Sequence, residues 1–127
     1  MFKKPVVLIT MGDAAGIGPE IIIKALSNKK IHKICFPVVI GSFAVMDKFK
    51  AMLKSRLHIN VLTDLKTNKF KNNAINLLDM ANIDMNKIKI GQINKLAGKA
   101  SMEYIKKAVE LINRNLADAI VTAPINK

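Results

Sequence analysis

Three glycines fall within seven positions of the stretch TMGDAAGIGPEI, residues 10–21: Gly12, Gly16 and Gly18. Glycine lets a backbone take positive φ and approach a ligand closely. The helix-like run that follows offers free N–H groups to an anion. A phosphate near residues 16–22 is physically reasonable, and the three glycines are the candidates for cofactor binding. The spacing is neither G-x-G-x-x-G nor a P-loop, since no Lys-Ser/Thr follows. Pro19 removes one N–H. Glu20 places negative charge in the first turn, where it complements the helix dipole and competes with a bound anion. Spacing alone leaves two readings, a ligand-facing loop or a tight connection. Asp13 has the same two: it caps the turn, or it faces a polar substrate.

The segment VTAPINK, residues 121–127, follows parallel logic. Ligands of open α/β sheets bind beyond the carboxyl ends of the strands. Thr122 at a strand end and Lys127 in the next loop stand where a substrate would lie, so Asp13, Thr122 and Lys127 are the candidate cleft-lining residues. Lys127 can hold a phosphate or carboxylate, but it is one of nineteen lysines. His32 and His58 fit no metal-ligand spacing with each other or with carboxylates. Cys35 has His32 three residues away, yet IHKICF reads as the edge of an element, which disfavours a Cys–His nucleophile. The residues themselves assign no catalytic group.

These loops need elements to hold them. KPVVLIT, residues 4–10, is continuous and β-branched, as expected of a strand buried on both faces. Pro19 suits a first helical position, and EIIIKALSN continues that helix. FPVVIG, residues 36–41, is a second strand. A helix follows, with Ser42 as its N-cap and Val45, Met46, Phe49, Met52 and Leu53 on one face. HINVLT, residues 58–63, is a third strand, residues 64–73 are a polar surface loop, and residues 74–80 are a fourth strand. After the irregular stretch ANIDMNKIKIGQIN, a helix is expected over residues 97–115. Residues 119–122 form a buried last strand that enters a proline-containing loop. This alternation implies a three-layer α/β domain with a mostly parallel sheet. A buried strand entering such a loop is where chains continue into a next helix, so residues 1–127 are expected to be the N-terminal part of a longer protein.

Composition removes several alternatives. With 127 residues, 50% of them hydrophobic, and a mean hydropathy of +0.21, the chain suits one folded domain rather than a disordered segment. No apolar run approaches the roughly 18 residues of a membrane helix. MFKKPVVLIT imitates a signal peptide, but its apolar run is short and Asp13 interrupts it. The single Cys35 cannot form an internal disulfide, which fits a reducing cytoplasm. The formal charge of +12 comes from 21 basic residues, of which only Arg56 and Arg114 are arginine. Nucleic-acid readers draw on arginine forks and stacked aromatics. This chain has no Trp and one Tyr, and its lysines are spread throughout, so a solvated surface is the better account and no specific nucleic acid is expected. Non-specific attraction to anions remains. The seven Met residues sit mainly in apolar positions and are most simply read as core fillers.

The stretch ITMGDAAGIGPEI resembles the N-terminal signature of the 4-hydroxythreonine-4-phosphate dehydrogenase family, usually G-D-P-A-G-I-G-P-E. GQINKLAGKASMEYIKKAVELINRNLADAIVTAPINK resembles a second block of that family, with Gly98, Lys99, an alanine-rich helix and a D-A-(I/L)-V-T-(A/G)-P-(I/V)-x-K ending. The likeness spans the whole chain and is loose between residues 42 and 94. Ala14 stands where the family usually has Pro, which relaxes the turn and removes no chemical group.

The resemblance implies a fold similar to the isocitrate and isopropylmalate dehydrogenases, with two α/β domains and a homodimer whose active site lies at the interface. It implies oxidation of 4-phosphooxy-L-threonine by NAD(P), decarboxylation of the resulting β-keto acid, and a divalent metal such as Zn, Mg or Co acting as Lewis acid. The amine product then passes to a partner enzyme. The family's His-Thr pair, its three metal-binding histidines and its phosphate-binding Lys, Asn and Arg come after the position of Lys127. His32 and His58 do not match them, so no metal ligand is assigned in this chain. Related enzymes take other phosphorylated hydroxy acids, and the deciding residues are expected beyond Lys127. Two further classes stay open beside a dehydrogenase portion. One is a non-catalytic anion- or nucleotide-binding module, and the other a half-protein whose apolar surface needs a partner.

Overall fold

The computed structural model describes residues 4–66 and 69–124. The first strand is β1 (Val6–Thr10), followed by helices α1 (Gly18–Leu26) and α2 (Lys29–Ile34) and strand β2 (Phe36–Gly41). Helix α3 (Phe43–Met52), strands β3 (His58–Leu62) and β4 (Ala74–Asp79), helix α4 (Lys95–Asn113) and strand β5 (Ala119–Thr122) complete the order. The five strands form one sheet in the order β3-β4-β2-β1-β5, with every pairing parallel. The expected mostly parallel α/β architecture is therefore present. No helix of the described residues is long and apolar enough to cross a membrane.

Local chemistry sets the helix starts. The Ser42 hydroxyl accepts from the Val45 N–H at 3.5 Å, and the Asn94 side chain accepts from the Leu96 and Ala97 N–H groups at 2.8 and 3.1 Å. Such caps satisfy first-turn donors that have no intrahelical partner. IHKICF, residues 31–36, reads from the sequence as an element edge, whereas α2 occupies Lys29–Ile34. Asn28 caps it by accepting from Lys30 N–H at 3.0 Å. Six residues are too few to display a helical period. Within α2, His32 is buried and its Nε2 lies 2.7 Å from the Leu26 carbonyl at the end of α1. The ring therefore serves a helix-end acceptor rather than Cys35.

Right-handed crossovers place α1 and α3 on one face, because β1→β2 and β2→β3 run in the same direction across the sheet. The β4→β5 crossover runs the opposite way and puts α4 on the other face, against β1, β2 and β5. Leu8, Val38, Ile40, Met46, Leu77 and Tyr104 are among the side chains enclosed between the layers. The polar loop between β3 and β4 is pinned by Asn76, whose amide bonds Lys71 N–H, the Lys71 carbonyl and Asn60 at 2.8–2.9 Å. Leu65 from that loop enters the core.

One expectation is corrected. The last strand was expected to be buried, yet all four residues of β5 are exposed. β5 is an edge that pairs only with β1 among the described strands, and the β-branched run has no second neighbour to cover it.

Candidate functional site

β1 and β5 are neighbours, so the loops that leave their carboxyl ends meet. The Ala123 N–H donates to the Thr10 carbonyl at 3.1 Å, and the Asp13 N–H donates to the Pro124 carbonyl at 3.3 Å. Within the first loop, Asp13 Oδ1 accepts from the Ala15 N–H at 2.8 Å and the Asp13 carbonyl accepts from Gly16 N–H at 3.0 Å. Asp13 is 4% exposed, and its carboxylate braces the turn. The capping role is thus the one observed, while the residue also lines a cleft of about 260 Å³.

The glycines divide into two kinds. Gly12 has φ +77°, and a Cβ there would lie 2.4 Å from the Pro124 carbonyl oxygen. A Cβ at Gly18 would lie 2.4 Å from the Met11 carbonyl oxygen. Both contacts are far inside van der Waals distance, so these two positions are glycine because the chain's own backbone fills the space. Gly16 would meet Asp13 atoms at an ordinary 3.5 Å. It lines the cleft and has no steric need to be glycine from within the protein. The α1 N-terminus beside it has Ile17 at the N-cap and no side-chain cap.

A third segment completes the cleft, one that the spacing of residues assigned to no site. The Gly91 N–H donates to the Ala15 carbonyl at 2.6 Å, which brings Gly91, Gln92 and Ile93 against the glycine loop. Gly91 in KIGQIN, with φ +84°, was the available signal. Ile17 and Ile93, 58% and 85% exposed, flank the opening with apolar surface. Thr122 is exposed on β5, level with Thr10. Thr10 is itself buried, and its Oγ1 has no hydrogen-bond partner among the described residues. Lys127 lies outside the described residues.

The point where the winding reverses lies between β2 and β4, whose following helices go to opposite faces. In doubly wound sheets such crevices receive ligands. Here Asp79 closes it, with Oδ1 accepting from the Phe43 N–H at 3.0 Å and the Ala81 N–H at 2.9 Å. The Met80 N–H also donates to the Gly41 carbonyl at 2.8 Å. The open cleft is consequently the one beside β1 and β5.

Neither histidine joins this site: His32 is spent on Leu26, and His58 is exposed on β3. Cys35 is half-buried with its thiol on the Ile31 carbonyl at 3.5 Å. Burial raises its pKa above the usual thiol value, and Lys4 offsets this only in part. The thiolate is the nucleophile, so Cys35 is expected to alkylate with iodoacetamide several-fold more slowly at pH 8 than the same thiol in denaturant. Equal rates in the two states would refute this.

Residues 33–127 match the model of the family described as pyridoxal phosphate biosynthetic protein PdxA. The chain is 41% identical over 125 residues to a provisionally named D-threonate 4-phosphate dehydrogenase of Clostridium botulinum, covering 98% of this chain and 37% of that protein. A protein of the same name from Fusobacterium nucleatum is 41% identical over 95% of this chain and 36% of its own length. Among solved structures, a 4-hydroxythreonine-4-phosphate dehydrogenase from Burkholderia phymatum superposes with a TM-score of 0.93 at 35% identity, over 99% of this chain and 38% of that one. The chain thus spans somewhat over a third of the length of the relatives it matches.

Proposed function

The chain belongs to the PdxA family, and on that premise we propose that it forms the N-terminal α/β portion, residues 1–127, of an NAD(P)-dependent dehydrogenase of a 4-phosphorylated, four-carbon acid. The first reading of the substrate is 4-phosphooxy-L-threonine. NAD(P), when bound, would supply the hydride acceptor for C3; with loss of the hydroxyl proton the new ketone would lie β to the carboxylate. That placement lets the C–C bond break with release of CO2, giving 3-amino-2-oxopropyl phosphate. D-threonate 4-phosphate is the second reading, favoured by the 41% identity to relatives carrying that name.

The observation that supports this reading is the meeting of three loops at the carboxyl edge, which leaves a cleft beside Gly16 and the uncapped start of α1. Helix starts of this kind accept phosphate. Asp13 contributes by holding the loop shape, since its carboxylate already accepts the Ala15 N–H. Thr122 and Lys127 follow the same strand end and are proposed to border the substrate. A divalent metal would supply Lewis-acid polarisation of the reacting oxygen. Among the described residues, however, no three His, Cys, Asp or Glu side chains converge on one point. On the family resemblance, the metal ligands, most substrate contacts and the homodimer contacts are assigned to the rest of the subunit, in a cytoplasmic enzyme.

The isolated 127-residue chain is expected to turn over neither substrate. A chimaera is expected to do so, with this chain replacing the matching first part of the Clostridium botulinum relative. The measurement is NADH or NADPH formation with each phosphorylated acid. Turnover by the isolated chain would sink the assignment to a partial subunit. A folded chimaera silent on both acids would sink the dehydrogenase reading, and its preference between them selects the substrate.

A further inference from the structure

We propose that the hollow at the amino ends of β1 and β2 binds a small flat organic anion, an aromatic ring carrying one phosphate or carboxylate. It lies at the opposite end of the strands from the loops at residues 11–18 and 123–124. Its volume is about 560 Å³, inside the range of roughly 300–1,000 Å³ typical of small-molecule sites. Two half-buried rings line it, Phe36 and Phe70, with centroids 5.4 Å apart and planes tilted by 38°.

The same hollow contains an ammonium with two defined contacts. Lys4 Nζ stands 4.1 Å from the Phe36 centroid and donates to the His32 carbonyl at 2.9 Å. One of its three N–H groups is used there, and among the described residues no other hydrogen bond of this ammonium is seen. Lys66 adds a second positive charge to the lining. Among the described lining residues Asp118 is the carboxylate, and its Oδ2 faces the β1 backbone, accepting from the Val6 N–H at 2.8 Å. Inorganic phosphate would satisfy the ammonium and leave the rings in water. A neutral arene would do the reverse, and only a flat anion answers both. Binding here stands whether or not the whole subunit oxidises a phosphorylated acid.

The test is titration of the 127-residue chain with phenyl phosphate, inorganic phosphate and phenol at physiological salt, followed by calorimetry and by chemical shifts of the Phe36 and Phe70 rings. Phenyl phosphate is expected to saturate and to bind about tenfold or more tightly than either fragment. Lys4→Met and Phe70→Leu are each expected to weaken it about fivefold or more, and Lys4→Arg to keep it within about twofold. If Lys4→Met loses its far-ultraviolet circular dichroism, Lys66→Met takes its place with a smaller expected weakening of about twofold. Equal binding of inorganic phosphate would show attraction by the net charge of +12 alone and overturn the proposal. So would unchanged affinity in all folded variants, or no saturable binding of phenyl phosphate.

Discussion

Gly12→Ala is expected to release the end of β5 from the sheet. Alanine at φ +77° is strained, by about 1–2 kcal/mol in the left-handed region. Its Cβ would also sit 2.4 Å from the Pro124 carbonyl oxygen, and overpacking against backbone costs roughly another 1–3 kcal/mol. The combined cost must be met by whichever side yields. β1 is held by two strand neighbours and by α4, whereas β5 is an exposed edge with β1 as its only described partner. The weaker side should open first. Amide exchange of Ala123 and Asp13 is therefore expected to accelerate by two orders of magnitude or more, while β2 and β4 amides change little. Gly16→Ala is the control, because its Cβ meets nothing closer than 3.5 Å. Unchanged protection of the Ala123 amide in Gly12→Ala would mean that the clash is absorbed elsewhere and that the loop contact is not what requires glycine.

That outcome bears on what the glycine signature encodes. A nucleotide cradle and a loop junction both demand glycine, for different reasons: one keeps space for a ligand, the other for the chain's own carbonyl. Sequence spacing cannot separate them, because the second partner, Pro124, lies 112 residues from Gly12. The strand signals were local and therefore legible. FPVVIG gave β2 within its observed bounds, and Ser42 marked the start of α3. α2 was missed because one capped turn and a half carries no period. The 89–93 segment was missed because its role rests on one long-range hydrogen bond from Gly91 to Ala15. The burial of β5 was misjudged because an apolar β-branched run reports what a strand suits, not which neighbour covers it. Asp79 at the reversal of the winding carried no motif. Its closing of that crevice follows from topology, which places Phe43 and Ala81 beside it.

Tyr104 provides the second large effect. It is fully enclosed, and its hydroxyl donates to Asn82 Oδ1 at 2.8 Å. Asn82 in turn donates to Glu103 at 3.3 Å. Burial raises the phenol pKa well above its usual value, and the nearby Glu103 and Asp79 carboxylates raise it further; the Asn82 bond offsets only part of this. The sign follows from proton binding. Above the ordinary value of 10.0 the unfolded chain loses the Tyr104 proton while the folded chain keeps it. The unfolded state is then favoured by up to about 1.4 kcal/mol per pH unit. This stability is present below pH 10 and is lost as pH rises toward the folded value.

The net charge of +12 repels itself. Those charges are spread over the surface and are screened beyond about 10 Å at 0.1 M salt, so added salt should leave the tyrosine slope dominant. Because Tyr104 is the only tyrosine and there is no tryptophan, its phenolate absorbance is an unambiguous reporter. That band is expected to rise together with loss of circular dichroism, at a pH above the ordinary tyrosine value. Tyr104→Phe is expected to cost about 1 kcal/mol at neutral pH for the lost hydrogen bond and to flatten the alkaline slope. Tyr104→Ala is expected to cost about 3–5 kcal/mol through the cavity it leaves, a large fraction of a small domain's stability. A phenolate band that titrates at the ordinary value while the circular dichroism stays native would show that water reaches the ring and that the Tyr104–Asn82–Glu103 chain is open in solution.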